Sequence, residues 1–271
     1  LLETPIEICG KFGKILRIWY DIQSYPLTKL LLKFNENFKL FLISYLFRVP
    51  DEEISIAAAT PIMECLLRLF ALLEVGEFGF SSRYFKTFLF NENFKLVDAN
   101  YPIESIISDF DSHIQSNWKI EDVMDNLKEY DKNVLVYLNE YLFAKEAGLP
   151  FDFNTDKVNV EHIMPASGHN IESIRDDAGM TKEEFVDMVN LLGNKILLEE
   201  DINKHIGMDW FKTKKGTLVQ DKRGYIGSSF GIAVALSSYH SDVWGKTDIE
   251  KANQKAAKRI CDFIFNNTKD E

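Results

Sequence analysis

Val160-Glu161-His162-Ile163-Met164-Pro165 is the stretch on which the reading of this chain turns, and two later stretches complete it: Gly193-Asn194-Lys195-Ile196-Leu197-Leu198 and Asp201-Ile202-Asn203-Lys204-His205. From Lys157 to Ile163 apolar and polar residues alternate with the two-residue period of a strand. Pro165 is the expected terminator of this strand. The run from Asn194 to Leu198 predicts a second short strand, and Asp201 caps a predicted helix running through Lys215. The local order is strand, insertion, strand, helix: a ββα arrangement. Nine residues separate Asn194 from Asn203, enough for a short strand, a turn and a first helical turn, so Asn203 can point back at the hairpin carrying Glu161 and His162. A carboxylate beside a histidine on one strand, with asparagines on the second strand and the helix, can hold a divalent metal against a phosphate while the histidine activates water. Strict alternation puts Val158, Val160 and His162 on one face and Asn159, Glu161 and Ile163 on the other. A metal held between Glu161 and the helix therefore requires the strand to twist or bulge at its end.

Outward from this core, Gly168-His169-Asn170 reads as a polar loop, and Thr181-Lys182-Glu183-Glu184 as a capping box opening a helix to Leu192, which Gly193 ends. Residues 1–150 read as a helical domain and residues 151–271 as a second domain that embeds the ββα element in helices, so the fold class is mainly α. In the first half, Ile15, Ile18, Trp19 and Ile22 return at helical spacing before Pro26; a second helical stretch covers Leu27 to Phe47. Asp51-Glu52-Glu53 precedes a helix through Pro61 to Gly76, and further helices are predicted at Pro102–Phe110, Ile120–Leu127 and Asn133–Ala147. Near the C-terminus, Ile249, Ala252, Ala256, Ile260 and Phe263 share one helical face. Phe34-Asn35-Glu36-Asn37-Phe38-Lys39-Leu40 recurs as Phe90-Asn91-Glu92-Asn93-Phe94-Lys95-Leu96, 56 residues on, a period beyond the usual solenoid range.

Composition bounds what this pattern can serve. A chain of 271 residues with 46% hydrophobic content supports one large or two ordinary globular domains. Cys9, Cys65 and Cys261 are far apart and show no metal-ligand spacing, which fits reduced thiols in the cytoplasm. No uninterrupted apolar run of the roughly 20 residues needed to cross a bilayer is evident, so no membrane role is expected. The start, Leu1-Leu2-Glu3-Thr4-Pro5, reads as the interior of a longer protein. A net charge of −11 argues against broad adhesion to nucleic acid, yet between Lys204 and Arg223 the six basic residues Lys204, Lys212, Lys214, Lys215, Lys222 and Arg223 face only Asp209 and Asp221. That run is either a phosphate-binding surface or an ordinary solvated helix face.

The pattern resembles the HNH-like domain that forms the C-terminal part of GmrSD-type, modification-dependent restriction endonucleases. The resemblance covers roughly residues 151–265 and rests on Glu-His-Ile-x-Pro at 161 to 165, Leu-Gly-Asn-x-x-Leu-Leu at 192 to 198, Asn203 followed by Phe211 and Lys214, and Tyr225 with Ser228. The HNH domain of RNA-guided CRISPR nucleases is similar, with Asp-His-Ile-x-Pro followed by two asparagines.

The resemblance implies that His162 is the general base that deprotonates the attacking water, and that Glu161 and Asn203 are oxygen ligands of one magnesium or manganese ion. It makes Asn194 the middle residue of the motif, holding the loop by bonding to backbone, and Lys204, Lys212, Lys214 and Lys215 contacts to DNA phosphates. His205 lies two residues beyond Asn203, on another side of the helix, and is not expected to share its metal. Relatives usually carry an N-terminal domain that uses nucleotide and senses DNA modification; no glycine-rich phosphate loop is found here. Two readings follow: a metal-dependent DNA endonuclease module of an anti-phage restriction system acting on DNA, modified or not, or a non-catalytic helical DNA-docking or protein-interaction module with a structural remnant of the motif.

Overall fold

The computed structural model describes residues 4–79, 82–216 and 224–267. The described residues divide into two units, one within 4–119 together with 264–267 and the other within 120–263.

The first unit is helical: α1 Pro5–Ile22, α2 Pro26–Phe34, α3 Lys39–Phe47, α4 Ile56–Val75, α5 Phe88–Val97 and α6 Ser105–Asn117. Its starts and stops are written locally. Thr4 and Glu7 form a capping box at α1, Ser55 caps α4 by accepting from the Ala58 N–H, and Gly76 closes α4. α4 is the core of this unit. Leu66, Leu67, Leu69, Phe70 and Leu72 are all 0% exposed, each contributing roughly 1.5–3 kcal/mol on burial. Although Glu64 and Arg68 interrupt it, this 20-residue helix is long and apolar enough by length and composition to cross a bilayer, with a mean hydropathy of 1.8 over its most apolar window, but 67% of that window is buried inside the protein.

The heptapeptide repeat takes two different structures. In the first copy, Asn35 is extended at φ −167° and its side chain accepts from the Asn37 N–H at 2.8 Å, so the predicted Leu27–Phe47 helix breaks into α2 and α3. There Phe34 and Phe38 pack on Phe70, with ring centroids 5.8 and 6.2 Å away. The second copy lies inside α5, where Phe90 and Phe94 meet each other at 4.8 Å and are 59% and 62% exposed. Packing partners, not the seven residues, decide the outcome.

The second unit contains α7 Ile120–Lys128, α8 Val134–Glu146, β1 Val158–His162, α9 Ile171–Asp177, α10 Lys182–Met188, β2 Lys195–Glu199, α11 Glu200–Ile206, α12 Phe211–Gly216, α13 Gly231–Ser237 and α14, which runs Lys246–Ile264. β1 and β2 pair antiparallel, with Glu161 opposite Ile196 and His162 opposite Lys195. The Thr181 capping box is present, with Glu184 as its return partner. α11 packs on both strands. Among the described residues the chain is mainly helical with one small two-stranded sheet, as the sequence predicts. α7 and α8 group with the second unit, although the sequence pattern placed residues 1–150 together; α8 is buried on nearly every face and packs on β2 and α13. The helix expected from Asp201 through Lys215 is two helices, because Gly207 adopts φ +54°, ψ −148°, a conformation open essentially to glycine alone.

The helix opened by the Thr181 box ends at Met188, short of the expected Leu192, and Gly193 does not end it but lies in the Leu192–Asn194 turn. A Cβ there would lie 2.3 Å from the Asn253 nitrogen and 2.4 Å from the Ile249 oxygen, both backbone atoms of α14. Gly193→Ala is expected to cost at least about 1–3 kcal/mol as α14 is pushed off β2's entry turn; urea unfolding measures it, and an unchanged midpoint would contradict this close approach.

Glu140 on α8 is 1% exposed and accepts from the Gly231 and Ile232 N–H groups at 2.6 and 3.3 Å, holding the start of α13. Burial pushes its carboxyl up to about 7, from an ordinary 4.5. For an acid whose folded value is raised, stability is full below the unfolded value and is lost as pH rises through the folded one. Between pH 5 and 8 this group is expected to remove about 3 kcal/mol of stability, a slope that Glu140→Gln abolishes in paired urea titrations; identical pH dependence in both proteins would refute it.

Candidate functional site

The site forms at the end of the hairpin. Residues 162–165 leave β1 and run beside the Leu192–Asn194 turn that enters β2. Asn194, 0% exposed, ties the two together: its Oδ1 accepts from the Met164 N–H at 2.8 Å, and its Nδ2 donates to the Met164 and Val189 carbonyls at 2.9 and 2.8 Å. Its own carbonyl accepts from the Ile163 N–H at 2.9 Å. Every polar atom of the amide is used on backbone, so the loop after His162 is held in one shape. On the other side of the turn, Asn253 Oδ1 accepts from the Gly193 N–H.

His162 is half-buried and its Nε2 lies 3.2 Å from Asn190 Oδ1. With an amide oxygen as acceptor, Nε2 carries the hydrogen and Nδ1 keeps its lone pair. Burial pulls the imidazole below its ordinary value, the Asn190 bond opposes this, and the charges of Lys195 and Lys214 add to the depression. The ring is therefore neutral near pH 7 and able to accept a proton. Asn190 was not singled out in the sequence; nothing marks it there except its place four residues before Asn194.

Glu161 sits elsewhere than expected. It is 7% exposed and its Oε1 pairs with Lys214 Nζ at 2.5 Å; the same ammonium donates to the His162 carbonyl at 2.8 Å. Lys214 is 1% exposed. The Tyr225 hydroxyl, fully buried, faces the same carboxylate without a hydrogen bond of good geometry to it, and burial together with the Glu161 charge holds the phenol well above its usual range. Burial also raises Glu161 and lowers Lys214, each opposed by the other's charge. Asn203 lies on α11, partly exposed, and His205 on the same helix has a buried Nε2 with no hydrogen-bond partner. Among the described residues no cluster of three histidine, cysteine or acidic side chains could hold a metal. The pair expected to bind magnesium or manganese therefore does not fit that task here: Glu161 is covered and already neutralised, and Asn203 alone offers one neutral oxygen.

The lysines also divide. Lys204 pairs with Glu200 and is exposed; Lys212 is exposed and lies 3.2 Å from Asp242. Lys214 and Lys215 are not the surface residues that the sequence pattern suggested. Lys215 turns in to the Tyr239 and Ser241 carbonyls and to Asp242, while Lys214 follows Phe211 inward, one helical turn away on the same face. Lys222, Arg223 and Asp221 lie outside the described residues. Phe211 joins Tyr225, Tyr239 and Trp244 in an aromatic cluster with neighbouring centroids 5.2–6.4 Å apart. Ser228 and Ser229 bind Glu199 at the end of β2, at 2.7 Å and 2.5 Å through their hydroxyls.

The family model of GmrSD restriction endonucleases, C-terminal domain, matches residues 108–259, more than half of the chain. No curated protein and no solved structure matches it.

Proposed function

Because the chain belongs to the family of GmrSD restriction endonuclease C-terminal domains, we propose that it is an HNH-type endonuclease module that hydrolyses DNA phosphodiester bonds with His162 as general base. The observation that carries the proposal is the combination at the hairpin end: a neutral, half-buried imidazole whose Nδ1 is left with its lone pair, on a loop locked by the fully bonded Asn194 amide. A general base is useful only when its lone pair is aimed, and the Asn190 and Asn194 bonds aim it. Glu161 enters the mechanism through Lys214 and not as an open ligand. The proposed phosphate contacts reduce to the exposed Lys204 and Lys212. Magnesium or manganese is the proposed cofactor class, with Glu161 not among its open ligands.

DNA is the partner that a restriction endonuclease domain implies. Modification of that DNA, a nucleotide-using sensor domain elsewhere in the full protein, a role in defence against phage and a cytoplasmic setting belong to the same proposal. All three cysteines are free, with Cys65 and Cys261 buried, which suits a reducing compartment.

One observation favours the non-catalytic reading: a carboxylate consumed in a buried ion pair is what a structural remnant would retain. Supercoiled plasmid incubated with the chain in magnesium, in manganese and in chelator separates the two. Nicked or linear product supports the nuclease; DNA retention in a gel-shift with intact plasmid under all three conditions supports docking.

A further inference from the structure

We propose that the positive charge at Glu161 is the ammonium of Lys214 in place of a metal ion, and that this internal pair positions His162 from behind.

The geometry carries this. Lys214 Nζ bonds Glu161 Oε1 at 2.5 Å and the His162 carbonyl at 2.8 Å, so one ammonium joins a strand side chain to the backbone of the next residue. The two side chains are 9% and 1% exposed, and fully buried Tyr225 closes the same space. A cation arriving with its water has no approach to such a carboxylate, and taking Glu161 would strand the ammonium in the interior. The helix that delivers Lys214 is itself anchored, since Phe211 is buried in the aromatic cluster and Lys215 is bonded to the Tyr239 and Ser241 carbonyls. Lys214 is thus built into the core at the point where the family resemblance puts a metal ligand's counter-charge. Its second bond, to the carbonyl of His162, fixes the peptide that bears the imidazole. Lys214 is a positioning residue, and Glu161 acts through it.

The inference rests on His162 as the base, and its test does not depend on cleavage. Manganese is titrated into the full chain, free ion being read by electron paramagnetic resonance, for the wild type, Glu161→Gln and the charge-free Glu161→Gln/Lys214→Met. The double variant covers the case in which a single change leaves a lone buried charge and unfolds. The expected result is equal manganese binding, including none, in every folded form. Loss of a true ligand should weaken binding by about tenfold or more, and that loss in either variant, with the helical circular dichroism retained, would overturn the proposal. For positioning, the long-range ¹H–¹⁵N signals of the His162 ring are expected to shift in Lys214→Met and to move back towards the wild type in Lys214→Arg. Unmoved ring signals in a folded Lys214→Met would equally overturn it. Absence of plasmid cleavage in all forms would count against the nuclease reading, while the manganese and ring measurements still decide the role of Lys214.

Discussion

His162→Ala is expected to slow phosphodiester cleavage by about 10²–10⁴-fold, the usual contribution of a positioned general base. Single-turnover cleavage of an end-labelled duplex, at protein concentrations that saturate the DNA, reads this without interference from binding. The wild-type rate carries a second signature. Burial and two neighbouring lysines pull the imidazole below its ordinary 6.5, so the rate should climb as pH rises through that lowered value and be level by neutrality. A rate still climbing steeply between pH 7 and 8 would mean that a group other than His162 loses the proton.

Asn194→Ala is expected to be the most damaging single substitution for folding in the second unit. It leaves the Met164 N–H, the Met164 carbonyl and the Val189 carbonyl without partners in a place that is 0% exposed. At about 1–3 kcal/mol for each unsatisfied buried group, the loss reaches several kcal/mol, a large part of a domain's stability. Urea unfolding followed by circular dichroism measures it. Asn194→Asp sharpens the test, because it keeps the acceptor for the Met164 N–H and sets a negative oxygen against two carbonyls; it should be no better than alanine. A midpoint within about 0.5 M urea of the wild type for either, taking about 1–3 kcal/mol per molar as the slope, would contradict the role of this amide.

These effects depend on features that differ in how plainly the sequence announces them. The two strands, the Thr181 capping box and the long helices could be read directly, because each rests on local chemistry: alternation, a side chain returning to an N–H, or a stripe repeating every turn. The backbone-binding work of Asn194 was legible only through the family resemblance, since a lone asparagine after glycine has no local signature. Long-range geometry was not legible. Lys214 looks like a surface lysine until Phe211, one turn before it, is known to be buried, and Asn190 gains meaning only when the loop brings it to His162. The α11–α12 break hinges on Gly207 taking a positive φ, which a helical pattern on both sides conceals. The repeated heptapeptide makes the limit plainest: the same seven residues form a turn where Phe70 receives their rings and a helix where it does not.

The most direct test of the account is chemical rescue on supercoiled plasmid: wild type and His162→Ala, each with and without added imidazole, under the metal condition in which the wild type cuts. The account predicts nicking by the wild type, its loss in the variant, and partial recovery of the variant alone when imidazole supplies the missing base. Cutting by His162→Ala at the wild-type rate without imidazole would contradict it.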